Sequence, residues 1–301
     1  MKTYLITGGA GFIGTNLSER LVHDGEKVIV VDNLVAGKAE RLPKEVVFHK
    51  LDICDHDALT VVMEGVDVVV HLAALPRVQF SIEHPFEAQH ANIDGTLSVL
   101  EAARKAGVKR VVYAASSSAY GDQDIMPLVE TLPPQPKSPY GLHKYMGEIM
   151  MKLWHDIHKL ETVSLRFFNV YGPHLDPNGA YALVIGKFLK QRLENTPMTI
   201  TGDGEQTRDF THVRDTVDAI VRATLGENVG SGEVFNVGAG RNISMNRIAE
   251  LIGGPVAYIP ARLEPKHTLA DSSYIRRTLG WEPTIKIEDG IAELKKEVGL
   301  A

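Results

Sequence analysis

The chain predicts an open α/β fold: a parallel sheet flanked by helices, with a smaller mixed α/β part toward the C-terminus. Three observations point there. Short β-rich apolar runs alternate with longer helical patterns through the first half. The turn TGGAGFIG (7–14) joins the first run to the first helix. An acid, Asp32, closes the second run. Strands apolar on both faces and separated by helices belong to a sheet covered on both sides.

In chain order, YLIT (4–7) is a buried-type strand and 12–25 an amphipathic helix ending in glycine. KVIVVD (27–32) is the second strand, VVF (46–48) a third, and 52–65 a short helix. VDVVVHLAA (66–74) and VKRVVYAAS (108–116) are further strands around a long helix over 85–107. A helix over 141–159 follows, then the strand-and-loop ETVSLRFFNVYG (161–172). The texture then changes: a turn-rich 173–179, a helix over 180–193, strand, turn and loop over 198–215, and a helix over 212–225. GEVFNVGAG (232–240) returns to strand. Helices are expected over 245–252, 272–279 and 287–297, with a loop over 253–270. The main boundary falls near residue 172, giving 1–172 and 173–301, with 232–240 crossing back into the first part.

The 301 residues, 44% apolar, suffice for one large core or two smaller ones sharing a cleft. The net charge of −6, without a long Lys/Arg run, argues against nucleic acid and anionic membrane as partners. No apolar run is long enough to span a bilayer. The single cysteine, Cys54, excludes an intrachain disulfide and suits a reducing compartment. MKTYLITGG runs straight into a strand without a secretory signature, so a cytoplasmic protein is expected. His155 and His158 are three apart on a helix, but no third ligand accompanies them and no metal is expected.

Gly8, Gly11 and Gly14 stand three apart where the first strand meets the first helix. A Cβ there would obstruct a tight turn, a close approach to a diphosphate, or helix–strand packing. The helix that follows offers unpaired N–H groups to an anion. A carboxylate at Asp32 can accept hydrogen bonds from adenosine ribose hydroxyls and would repel a 2′-phosphate, which favours NAD over NADP. Together these features make the sheet Rossmann-type. Asp52 and Ile53, after the third strand, either flank an adenine or serve as helix cap and core residue.

Ser116, Ser117 and Ser118 follow the strand RVVYAA, at the end facing the ligand crevice of an open sheet. They also fit a turn whose hydroxyls satisfy local backbone. Tyr140 and Lys144, in SPYGLHK, share one helix face at i and i+4. Tyrosine is a weak base at its usual pKa of ~10, and a neighbouring cation favours phenolate. Pro139 biases Ser138 away from helix, so the helix begins near Tyr140.

The whole set resembles the extended short-chain dehydrogenase/reductase family, in its nucleotide-sugar epimerase and dehydratase group. TGGAGFIG, VDN, HLAA, SSSAYG, SPYGLHK, RFFNVYGP, RDFTHVRD and FNVG fall in family order over nearly the full chain. The resemblance implies bound NAD and a UDP-sugar substrate, with Tyr140 as base, Lys144 as its tuner and ribose ligand, and Ser116 as hydroxyl partner. It places Gly8, Gly11, Phe12, Ile13 and Gly14 at the cofactor, with Asp32, Asn33, Asp52 and Ile53 at its adenosine side. Leu72, Ala73, Ala74 and the buried Asn92 complete the cofactor-binding set.

Dehydratases of the family carry Thr-Asp-Glu in the serine turn, and related decarboxylases keep a Glu there. Here the positions are Ser116, Ser117 and Ser118, so the resemblance favours 4-epimerisation of a UDP-hexose through a 4-keto intermediate. On the substrate side it implies Ser117, Ser118, Asn169, Arg208 and Arg262, the arginines at the diphosphate. Arg208 alternatively pairs with Asp203 or Asp209. Arg77 could reach a diphosphate or a sugar carboxylate, or stay solvated, which keeps a uronate epimerase open. Thr268 stands where enzymes restricted to unacetylated hexoses often carry Tyr, so UDP-GlcNAc and UDP-GalNAc stay beside UDP-Glc and UDP-Gal. The family's equivalents of helices 85–107 and 141–159 form a dimer bundle, so a homodimer is expected. A catalytically silent NAD-binding scaffold is the non-enzyme alternative, and it would most readily have lost Tyr140 or Lys144.

Overall fold

A computed structural model describes residues 1–176, 184–261 and 266–300. Six strands of the first half are β1 (Thr3–Thr7), β2 (Lys27–Asp32), β3 (Val47–Lys50), β4 (Val68–His71), β5 (Arg110–Ser116) and β6 (Glu161–Phe167). With Ser231–Val237 they form a seven-stranded sheet in the order Ser231–Val237, β6, β5, β4, β1, β2, β3. Every pairing is parallel. The order reverses between β4 and β1, and a ligand crevice opens beyond the strand ends at such a point.

Alternation along the strands feeds two cores. Tyr4, Ile6, Val28 and Val30 pack on the face covered by Phe12–His23 and Val213–Leu225, with Trp281 fully buried among them. Leu5, Val31, Val69 and Val111 pack on the other face, under His56–Val62, Gly95–Ala106 and Pro139–His158. A third cluster, with Phe188, Ile200, Phe210, Ile248 and Ile291, lies outside the sheet. It is framed by the parallel pair Met198–Thr201 with Val256–Ile259 and by helices Val184–Leu193, Met245–Ile252 and Ile287–Glu297.

Four local expectations change. The helix expected over 52–65 shortens to His56–Val62, because Asp55 is the cap and accepts from Ala58 N at 3.2 Å. Asp52 instead closes a turn on Cys54 N at 2.9 Å. The helix over 85–107 is divided: Pro85–Gln89, a π segment His90–Asp94, then Gly95–Ala106. The loop over 253–270 contains the strand Val256–Ile259, and an additional helix, Val78–Glu83, stands between the strand 66–74 and residue 85.

Candidate active site

The glycine turn leaves β1 at the crevice. Gly8 has φ +67°, and a Cβ there would lie 2.7 Å from Ala73 Cα. The turn therefore rests on the end of β4, where Leu72 N donates to Thr7 O at 3.1 Å. A Cβ on Gly14 would lie 2.5 Å from Gly9 Cα, and one on Gly11 would lie 3.1 Å from Gly8 O. Gly9, which sequence spacing passed over, abuts Val30, with 2.6 Å to a methyl carbon. Gly11 is the N-cap of Phe12–His23 and supplies no side-chain cap, so the first N–H groups stay available to an anion. Phe12 and Ile13 are partly buried against the core.

Asp32 is nearly buried at the end of β2. Its carboxylate accepts Ala10 N at 3.1 Å and Leu34 N at 2.8 Å, while burial raises its pKa. Asn33 Nδ2 donates to Asp52 Oδ2 at 3.0 Å, tying β2's end to the segment after β3. For Asp52, burial pushes upward but is outweighed by hydrogen bonds from Cys54 and Asn33, which hold the carboxyl below its usual range. Ile53 is a core residue whose Cδ1 would lie 2.5 Å from a Cβ on Gly95. Ala74 is half-buried in the loop beyond β4.

Asn92 sits on the π segment and clamps the same loop, accepting Leu75 N at 2.8 Å and donating to Leu75 O at 3.2 Å. Its carbonyl accepts Thr96 Oγ1 at 2.7 Å. Thr96 in turn meets His71 Nε2 at 3.0 Å, and His71 Nδ1 meets Thr7 Oγ1 at 2.7 Å. Burial, with the Lys144 charge second, pushes His71 down to about 3, so it is neutral at physiological pH.

The Ser–Tyr–Lys cluster forms where helix Pro139–His158 meets the end of β5. Ser138 caps the helix, accepting Gly141 N at 3.1 Å, and Pro139 opens it. Tyr140 N donates to Ser81 Oγ at 3.1 Å, a link to helix Val78–Glu83 that no local pattern announces. A Cβ on Gly141 would lie 2.6 Å from Ser118 O, so glycine lets the helix start press against the serine turn. Ser116 Oγ donates to Ser118 Oγ and accepts Ser118 N, both at 3.1 Å; Ser117–Ala119 form a single 3₁₀ turn.

The Tyr140 residue is half-exposed while its hydroxyl end is enclosed. Burial raises the phenol, and a hydrogen bond with Ser116 opposes the rise. Lys144 is almost fully buried; its Nζ donates to Ala114 O at 2.7 Å and lies 4.8 Å from the Tyr113 ring centroid. Burial brings its ammonium down to about 7, against the pull of Glu148. Glu148, one turn further on, forms a buried fork with Arg166 at 2.8 and 2.7 Å. Burial thus opposes charge on both Tyr140 and Lys144.

The substrate-side candidates gather on neighbouring loops. Asn169, at φ +32°, donates from Nδ2 to Asp209 O at 2.9 Å. Arg208 lies on the strand Thr207–Asp209, with Nη1 2.9 Å from Thr207 O. Thr268 N donates to Thr207 O at 3.2 Å, while its Oγ1 is buried with no partner among the described residues. Arg77 is exposed at the head of helix Val78–Glu83. Arg262 lies outside the described residues. Among the described residues, no helix is long and apolar enough to cross a membrane, and no group of three His, Cys, Asp or Glu could hold a metal.

A parallel sheet with a glycine turn and terminal acid, facing a Ser–Tyr–Lys cluster, defines a nucleotide-cofactor enzyme of the extended short-chain dehydrogenase/reductase type. The model of the NAD dependent epimerase/dehydratase family matches residues 4–238, and the chain belongs to that family, whose cofactor is NAD. It is 38% identical to a UDP-glucose 4-epimerase of Mycolicibacterium smegmatis, covering 97% of both chains. It is 36% identical to a UDP-glucuronate 4-epimerase of Thermodesulfobacterium geofontis, covering 97% of this chain and 94% of that one. Among solved structures, it matches UDP-N-acetylglucosamine 4-epimerase from Methanobrevibacter ruminantium in complex with UDP-N-acetylmuramic acid. That match has TM-score 0.92 and 35% identity, covering 99% of this chain and 97% of the other.

Proposed function

We propose that this chain inverts C4 of a UDP-hexose, with UDP-glucose and UDP-galactose as the first substrates to test. One observation carries the reading: Ser116, Tyr140 and Lys144 converge at the end of β5, and Ser116–Ser118 contain no carboxylate. A dehydratase needs an additional acid to expel water. An epimerase needs only a proton carrier at the 4-hydroxyl and a sugar able to present both faces.

The chain fits a dinucleotide. Any side chain at Gly8 or Gly14 would strike backbone, the helix after them lacks a side-chain cap, and Asp32 waits at the end of β2. Bound NAD supplies the acceptor and donor of the C4 hydride. Tyr140 Oη takes the 4-hydroxyl proton and returns it after inversion. Ser116 Oγ steadies the C4 oxygen and shares its hydrogen bond with Tyr140. Lys144 holds the cofactor's ribose and, when charged, lowers the Tyr140 phenol against the rise that burial imposes. Asn169, Arg208 and Arg262 hold the diphosphate, arginine by its planar fork of donors.

The small side chain of Thr268, where enzymes restricted to unacetylated hexoses often carry Tyr, supports a wider substrate range that includes UDP-GlcNAc and UDP-GalNAc. A second reading, UDP-glucuronate 4-epimerisation, draws on Arg77. Arg77 is exposed and rides on the helix whose Ser81 accepts Tyr140 N.

We also propose a homodimer. Leu142, Met146, Ile149, Leu153 and Ile157 form an exposed apolar stripe along helix Pro139–His158, suited to a second copy. Sedimentation should give a dimer that Leu153→Glu converts to monomer; a monomeric wild type would refute this. The single thiol agrees with a cytoplasmic setting.

The functional test is direct. Purified protein should release NAD on denaturation and interconvert C4 epimers of at least one of UDP-glucose, UDP-GlcNAc and UDP-glucuronate. No conversion of any of the three would remove this reading.

A further inference from the structure

We propose that Asp209 is the positioning residue of the substrate side: its carboxylate gathers two separate loops and its main-chain carbonyl a third segment, and so it holds Arg208 where a diphosphate can meet it. The inference rests on the UDP-sugar reading above.

Neighbouring residues of a strand face opposite ways. On Thr207–Asp209, Asp209 points inward and is completely buried, while Arg208 is half-exposed. Oδ1 of Asp209 accepts Ala239 N at 2.8 Å, and Oδ2 accepts Gly240 N and Ala270 N, both at 3.0 Å. The Arg241 backbone adds a fourth hydrogen bond. These donors belong to two loops far apart in sequence, one after Ser231–Val237 and one around Thr268. A third segment joins through the main chain, where Asn169 Nδ2 donates to Asp209 O at 2.9 Å.

The packing leaves no slack around this carboxylate. A Cβ on Gly238 would lie 2.9 Å from Asp209 Oδ2 and 2.3 Å from Ala270 Cβ. Among the described residues the carboxylate is satisfied by main-chain N–H groups of these loops. A core ion pair would fix two side chains; this arrangement fixes backbone. The backbone it fixes carries Asn169, Arg208 and Thr268, whose N–H reaches Thr207 O at 3.2 Å. An asparagine of the same shape would turn an NH₂ group toward one or more of these N–H donors and release that loop.

The experiment measures binding of UDP alone to NAD-loaded protein by titration calorimetry, comparing wild type with Asp209→Asn. The substitution should weaken UDP by at least about tenfold. Bound NAD should stay stoichiometric, and KM for the accepted UDP-sugar should rise by a larger factor than kcat falls. A merely structural role would instead lower NAD content and thermal stability together, with no preference for UDP. UDP affinity within about twofold of wild type would overturn the inference and leave the UDP-sugar reading standing. A wild type that binds no UDP would overturn both. Should the variant not fold, amide exchange in the wild type decides. The Ala239, Gly240 and Ala270 amides should slow together when UDP binds, and unchanged exchange at all three would overturn the inference.

Discussion

Glu148→Gln tests how helix Pro139–His158 is held. Glu148 and Arg166 are 4% and 3% exposed and form a forked pair at 2.8 and 2.7 Å. Arg166 also lies 4.4 Å from the Tyr120 ring centroid, and its Nη1 is buried without a hydrogen-bond partner. The guanidinium therefore depends on Glu148 for its charge balance. Removing one member of a buried pair costs about 3–5 kcal/mol, because the other charge is left uncompensated. Against a domain stability of about 5–15 kcal/mol this is a large fraction. Urea denaturation at neutral pH should therefore show a much lower midpoint with an unchanged slope. Glu148→Gln/Arg166→Met removes both charges and should recover more than half of the loss. A single-variant cost below about 1 kcal/mol, in the range of exposed pairs, would refute the reasoning. So would a double variant no more stable than the single one.

Further expectations follow from the same geometry. Gly14→Ala places a Cβ 2.5 Å from Gly9 Cα, so the purified variant should retain little NAD; full retention, assayed by cofactor release, would contradict the glycine cradle. Lys144 has its pKa lowered by burial from 10.5 to about 7. A depressed group contributes stability that is full above its unfolded pKa and lost as pH falls through the folded one. The melting temperature of NAD-free wild type, referred to Lys144→Met, should therefore decline from about pH 10 to about pH 7 and flatten below. Parallel curves for the two proteins would contradict it.

Much of this was legible because it is periodic or local. β2 at Lys27–Asp32 and the helices Met245–Ile252 and Ile287–Glu297 fall on the residues where the apolar pattern put them. Gly8, Gly11 and Gly14 could be singled out because a turn needs them at fixed offsets. What sequence reasoning missed is long-range or irregular. The π segment at His90–Asp94 inserts a residue into a helix without disturbing its composition. Val256–Ile259 is a four-residue apolar run between Gly-Gly-Pro and Pro260, too short to separate from a loop, and none of it is fully buried. Ser81 meets Tyr140 N and Asp209 meets Ala239, Gly240 and Ala270 only after the chain has folded. Glu148 was within reach, standing four residues beyond Lys144, but its partner Arg166 lies across on β6. The electrostatic balance was the least visible: spacing suggests that Lys144 lowers Tyr140, whereas burial pushes the two in unfavourable directions.

The central claim is that Tyr140 moves the proton at the sugar's 4-hydroxyl. Tyr140→Phe keeps the ring and removes only the hydroxyl. With NAD content matched to wild type, epimer interconversion should be followed for each UDP-sugar the wild type accepts. The account predicts a fall of about 10²–10⁴-fold in kcat. Turnover within about tenfold of wild type on every accepted sugar would contradict it.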